Sequence, residues 1–212
     1  MANRLAHRLD ALCFDTGSIY RALALVALEC RIDINDPTSL ERAARTMPLR
    51  MSPPSQDDGR QADVWLGDRD ITWAIRAPEV DRTVSAVSAH PEVRDALLQL
   101  QRKIGRSGRV VMVGRDIGTV IMPDADLKIW LEASVDERAR RRLSDLERAG
   151  NPHTFQQVRD DLVARDRFDA DRAVAPMAPA SDARVVSTDG LTIDEVVDRI
   201  LEIFAESRRG RN

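Results

Sequence analysis

Arg109-Val110-Val111-Met112-Val113-Gly114-Arg115-Asp116-Ile117-Gly118-Thr119 reads as an apolar strand running straight into a turn that carries an arginine and a carboxylate between two glycines. A continuous apolar run bounded by glycine is the pattern of a strand buried in a parallel sheet. Arg115 and Asp116 then emerge at the carboxyl edge of that sheet, where open α/β folds bind their ligands. Glycine at such a turn lets a ligand approach the backbone closely. The alternative is a plain strand-to-loop turn in which Arg115 and Asp116 pair with each other.

Strand and helix patterns alternate on both sides of this stretch. Upstream, residues 2 to 10 predict an amphipathic helix with Leu5, Ala6 and Leu9 on one face and no capping residue before it. Ala11-Leu12-Cys13-Phe14 follows as a strand ending in Asp15-Thr16-Gly17, and Ile19, Leu23, Val26 and Leu28 restore helical spacing. Residues 33 to 72, with Pro37, Pro48, Pro53 and Pro54, predict a small α/β insertion. Helices are expected at about 78–89 and 91–104, the second opened by Pro91. Downstream, Leu127-Lys128-Ile129-Trp130-Leu131 predicts a second buried parallel strand. Helices near 134–149 and 154–169, a strand at 183–186, a helix from 192 to 207 and a frayed tail 207–212 complete the pattern.

Composition narrows the classes. The 212 residues hold 32 Lys and Arg against 35 Asp and Glu, a net charge of −3, so no global field attracts nucleic acid and any anion site must come from local arginine clusters. Cys13 and Cys30 sit in apolar sequence and read as reduced, buried thiols, with neither a disulfide nor a zinc site expected. No signal peptide and no run of transmembrane length is present, so a cytoplasmic protein without membrane contact is expected. His7, His90 and His153 lack metal-ligand spacing and read as surface or cap residues.

Arg165, Asp169 and Arg172 follow an i, i+4, i+7 spacing that puts two guanidiniums and a carboxylate on one helix face. Such arginines suit bidentate contact with phosphate oxygens, and the plainer reading is a solvated face with helix ion pairs. Ala173-Val174-Ala175-Pro176 closes the segment with an apolar stretch, as the hinge of a lid requires. Asp15 and Thr16 at the earlier strand end offer a carboxylate and a hydroxyl or, more plainly, a helix cap. Arg21 lies one turn into that helix and faces the same mouth, while Ser85 and Arg94 come from the paired helices.

These segments, in order, resemble bacterial cytidylate kinases. The matching residues are Phe14 to Arg21, Ile75-Arg76 with Glu79-Val80, Ser85 with Val93-Arg94, Gly114 to Val120 with Pro123-Asp124-Ala125, and Arg165-Asp166 with Asp169 and Arg172 to Pro176. Several motifs in register across nearly the whole chain are far more specific than any one. The resemblance implies a three-layer α/β/α fold with a parallel sheet, of the P-loop nucleoside-monophosphate-kinase type. It implies one domain over 1–212, with a CMP-binding insertion and helices over about 33–105 and an arginine-bearing lid over about 150–176. The implied reaction passes the γ-phosphoryl group of ATP to CMP or dCMP, with Mg²⁺ bridging phosphates, in a monomer. Carried over, Thr16, Arg21, Ser85, Arg94, Arg115 and Asp116 contact the acceptor nucleotide, Arg21 and Arg115 holding its phosphate. Arg165 and Asp169 join those contacts from the lid, Arg165 and Arg172 offset charge on the transferring group, and Arg138 and Arg172 meet ATP. Asp15 is implied in the acceptor site or the metal shell. Transfer by this arrangement is electrostatic positioning without a covalent intermediate.

Three departures accompany the resemblance. Relatives carry a strand and a Gly-x-x-Gly-x-Gly-Lys-Ser-type phosphate loop just before the helix that opens this sequence, so the 212 residues as written are expected to be nearly inactive and the true start to lie upstream of Met1. Val113 stands where relatives often have an acid, and Phe168 where some have another lid arginine. The reading from another functional class is a degenerate kinase that binds CMP without turnover.

Overall fold

A computed structural model describes residues 1–114, 116–148, 150, 153–170 and 178–209, with the side chains at 165 and 167–170 left aside. The chain divides into two compact units, Ala2–Gly114 and Arg115–Asn212 with Met1 joining the latter.

In the first unit, α1 (Ala2–Arg8) packs through Leu5 and Ala6 on a two-stranded parallel ladder of β1 (Leu12–Asp15) and β5 (Val110–Val113). The register pairs Leu12 with Val110 and Asp15 with Val113, so both strands end level at their carboxyl ends. The expected helix over 2–10 ends two residues early, because Asp10 turns into the left-handed region at φ 49°. β1 feeds α2 (Gly17–Glu29), whose Ile19 and Leu23 are fully buried. α3 (Pro37–Thr46) starts where Asp36 accepts hydrogen bonds from the backbone N–H groups of Thr38 (3.1 Å) and Ser39 (3.2 Å), with Pro37 in the first turn. An antiparallel sheet of β2 (Leu49–Ser52), β3 (Asp63–Leu66) and β4 (Arg69–Asp70) follows, the β3–β4 turn placing Gly67 at φ 60°. A 3-10 turn at Ala74–Arg76 leads into α4 (Pro78–Ala89) and α5 (Pro91–Gly105), each opened by its proline. Phe14, Leu40, Ile75, Val80 and Leu97 fill the core that joins these elements.

In the second unit, one π-helical turn (Ile117–Ile121) precedes β6 (Ile129–Glu132), α6 (Val135–Arg148), α7 (Phe155–Ala170), β7 (Arg184–Ser187) and α8 (Ile193–Arg209). β6 and β7 pair in parallel, from Ile129 with Arg184 to Glu132 with Ser187. The hydroxyl of Thr192 and the carboxylate of Glu195 cap each other's backbone at the start of α8, and Thr154 with Gln157 does the same for α7.

The mixed α/β architecture with parallel strands is as the sequence led us to expect. Three details differ. The strands expected to be buried are half-buried, with Val113 and Leu131 exposed, since among the described residues each has a single ladder neighbour. Cys13 is buried, and burial followed by the charge of Asp15 pushes its thiol up, whereas Cys30 is exposed because it caps the solvent end of α2. The tail expected to fray from 207 is helical to Arg209, and residues 210–212 lie outside the described residues. No helix among the described residues is long and apolar enough to cross a membrane.

Candidate functional site

At the carboxyl end of the β1–β5 ladder, Thr16 is 7% exposed and joins the two strands. Its backbone N–H donates to the Val113 carbonyl at 3.0 Å and its hydroxyl donates to the same oxygen at 3.2 Å. Thr16 thus stands at the N-cap position of α2 without making a side-chain cap bond. Asp15 is exposed, and its Oδ1 accepts from the Gly17 N–H at 2.9 Å, so the carboxylate is held over the first turn of α2. Val113 contributes its carbonyl to the same junction.

Arg21 sits on the next turn of α2, packed against α4. Its guanidinium forms an ion pair with Asp81 of α4 and reaches the Ile75 carbonyl at 3.4 Å. The sequence reading turned Arg21 toward the strand ends and gave it no partner; the structure lays it along α4, because Asp81 projects toward α2 from that helix. Ser85 follows Asp81 by one turn on α4 and is exposed. Arg94 of α5 is half-buried, with its guanidinium carbon 5.8 Å from the ring centre of Tyr20, the α2 residue beside Arg21. α4 and α5 thus each set a charged side chain on the N-terminal half of α2, Asp81 on Arg21 and Arg94 on Tyr20, and guanidiniums of this kind suit bidentate contact with phosphate oxygens.

Arg115 lies outside the described residues. Asp116 is half-buried at the head of the π-helical turn, and its carbonyl accepts from the N–H groups of Val120 (2.9 Å) and Ile121 (3.2 Å). Gly118, expected from the sequence to leave room for a ligand, is instead hemmed by the chain: a Cβ there would lie 3.1 Å from Cδ of Lys128 and 3.4 Å from Cβ of Ala180. The Lys128 ammonium is in turn held by Asp182 at 2.7 Å.

Arg138 of α6 is held at both ends of its guanidinium. Its Nη1 and Nη2 donate to Oδ1 and Oδ2 of Asp166 on α7 at 2.9 and 2.7 Å, and its Nε donates to the Ala133 carbonyl at 3.3 Å. Hydrogen bonding to Asp166 raises its affinity for its proton further. The backbone at 165 and 169 is helical, as expected, within α7; the side chains of Arg165 and Asp169 are outside the described set, as is Arg172 altogether.

Asp81 and Asp166 escaped the sequence reading as partners. Asp166 was already visible beside Arg165, whereas nothing in the spacing links Asp81 to Arg21, 60 residues apart. Another missed constellation is in the insertion, where Arg60 donates to Asp58, Asp63 and Asp70 at 2.8 to 2.9 Å. Among the described residues no group of three or more His, Cys, Asp or Glu is arranged to hold a metal ion.

The sequence matches the cytidylate kinase family model over residues 1–206. It is 47% identical over 200 residues to the cytidylate kinase of Herpetosiphon aurantiacus, covering 94% of this chain and 86% of the relative. It is 45% identical over 204 residues to that of Desulfitobacterium hafniense, covering 96% and 86%. A third relative, the cytidylate kinase of Shouchella clausii, is 43% identical over 210 residues, covering 99% and 91%. With the motifs from Phe14 to Pro176 falling inside a match of that extent, the chain belongs to the cytidylate kinase family.

Proposed function

We propose that this chain transfers the γ-phosphoryl group of ATP to CMP or dCMP, giving ADP and CDP or dCDP. The observation that carries the proposal is the pair of charged contacts along the N-terminal half of α2, Arg21 with Asp81 and Arg94 with the Tyr20 ring, in a member of the cytidylate kinase family. In this reading residues 1–212 act as one catalytic domain, with 33–105 on the acceptor side and 150–176 as the lid. An acceptor phosphate takes Arg21 from Asp81 and is met by Arg115, while Ser85, Arg94 and Asp116 read the cytosine and its surroundings. An oxygen of that phosphate attacks the γ-phosphorus, the bond to the β-phosphate oxygen breaks, and ADP leaves with the electron pair. Arg165 and Arg172, with Asp169 beside them, offset charge on the group in flight, and Arg138 meets the ATP phosphates.

Magnesium would travel with ATP and supply charge neutralisation at its phosphates, with Asp15 the carboxylate that would help hold it. That fits the residues present, because Mg²⁺ is commonly held by substrate phosphates and water with one or two carboxylates rather than by an all-protein cage, and Asp15 is an exposed carboxylate at the strand ends. The proposal includes a monomer working in the cytoplasm without nucleic acid or membrane.

A coupled assay of ADP formation tests it, with CMP, dCMP, AMP and UMP as acceptors. Whatever the absolute rate, turnover with the cytidine nucleotides is expected to stand well above that with AMP or UMP. Preference for AMP or UMP would overturn the acceptor assignment, and CMP binding without ADP release would identify a non-catalytic binder.

A further inference from the structure

Arg138 carries five N–H donors, and the contacts among the described residues occupy three of them: one each from Nη1 and Nη2 on Asp166 and the Nε donor on the Ala133 carbonyl. The two-pronged contact fixes the plane of the guanidinium as well as its position, which a single hydrogen bond would leave free to rotate. Two N–H groups remain directed away from the carboxylate, in the plane that Asp166 sets. The pair is about one-third exposed on both sides, Arg138 at 34% and Asp166 at 37%, so solvent screens it and a ligand can reach it. An ion pair that open adds little to stability, and α6 and α7 are also joined by the Asp136–Arg159 pair.

We infer that Asp166 is the positioning residue of Arg138, orienting its remaining N–H groups toward the phosphates of ATP. The inference rests on the reading that Arg138 meets ATP. Asp166 follows Arg165 directly and precedes Asp169 by three residues on α7, so one carboxylate ties the helix bearing the lid residues to the arginine that faces the donor. Loss of the carboxylate leaves Arg138 charged and present but free to rotate, which weakens ATP contact without emptying the site.

The test is a double-mutant cycle on the full chain: unmodified protein, Asp166→Asn, Arg138→Ala and the double variant. ATP affinity in the presence of Mg²⁺ and CMP affinity are read by calorimetry, and melting temperature by calorimetric scan. Asp166→Asn is expected to weaken ATP roughly three- to thirtyfold, to leave CMP affinity and melting temperature nearly unchanged, and to add nothing once Arg138 is gone. Asp166→Glu should recover part of the loss. If Arg138→Ala weakens ATP while Asp166→Asn does not, the positioning role falls and the ATP reading of Arg138 stands. The positioning role falls equally if Asp166→Asn has its full effect in the Arg138→Ala background. If Arg138→Ala leaves ATP affinity unchanged, or the unmodified chain gives no heat with ATP, the donor reading itself fails and the inference falls with it.

Discussion

Arg60 shows how much a single residue in the insertion decides. Its side chain is 4% exposed, and Asp58, Asp63 and Asp70 surround it, with Asp63 at 2% also accepting from the Ser55 N–H. Removing the guanidinium strands a buried carboxylate, which costs far more than losing a surface pair. Arg60→Met should lower the melting temperature by roughly 5–10 °C. An unchanged melt would show that the cluster has no structural weight. The pH dependence has a definite sign. Hydrogen bonds from Arg60 and then Trp73 hold Asp58 well below the ordinary range, and a bond from Thr72 followed by Arg60 lowers Asp70. Burial pushes Asp63 up, but Arg60 and Ser55 outweigh it and the net shift is downward. The folded chain therefore binds fewer protons than the unfolded chain below the ordinary aspartate value of about 3.9. Stability from the cluster is present above that value and lost as pH falls through the lowered folded values. Melts from about pH 5 to about pH 3 should drop more steeply for the unmodified protein than for Arg60→Met; parallel curves would refute the assignment. At the candidate site, Arg21→Ala should weaken CMP roughly 10- to 100-fold, the loss of charge-assisted hydrogen bonds to phosphate, while ATP affinity and the melt stay near their original values. Equal weakening of CMP and ATP would remove Arg21 from the acceptor site.

At the scale of elements, the sequence declared most of what is there. Pro91 marked the start of α5 because a missing N–H costs nothing in a first turn, and the runs at 109–113 and 127–131 read as the strands that the structure places at Val110–Val113 and Ile129–Glu132. Element ends were less legible, since they depend on single dihedrals such as that of Asp10, which no periodicity encodes. The candidate site residues Thr16, Arg21 and Arg94 could be picked out by motif, but their partners could not. Asp81 reaches Arg21 only because α2 and α4 pack together, and the four residues of the Arg60 cluster meet only once β3 and β4 have turned back. Gly118 misled for the same reason: its neighbours Lys128 and Ala180 are remote in sequence. Packing of α5 on the core can be tested through Leu97, which is fully buried. Leu97→Ala should cost about 2–5 kcal/mol, read from urea denaturation, because a cavity is left between helices that can relax only partly. A cost below about 0.5 kcal/mol would place Leu97 at the surface.

For the molecule as a whole, the division into Ala2–Gly114 and Arg115–Asn212 separates two sets of side chains. Thr16, Arg21, Ser85 and Arg94 belong to elements of the first unit, Arg138 and Asp166 to helices of the second. A ligand that binds the folded state stabilises most strongly the segments it touches, and amide exchange resolves that stabilisation segment by segment. CMP alone should therefore slow exchange in α2, α4 and α5, and ATP with Mg²⁺ should slow it in α6 and α7. Because α4 is anchored by Val80 and Val87 in the core, its protection by CMP should concentrate in the turns around the exposed Asp81 and Ser85, over a baseline already slow at the buried positions. ATP slowing exchange in α2 and α4 while α6 and α7 stay unaffected would exchange the donor and acceptor assignments. Protection spread evenly over all five helices by either nucleotide would mean that each ligand tightens the entire chain, and the allocation of Arg21 to CMP and Arg138 to ATP would lose its basis.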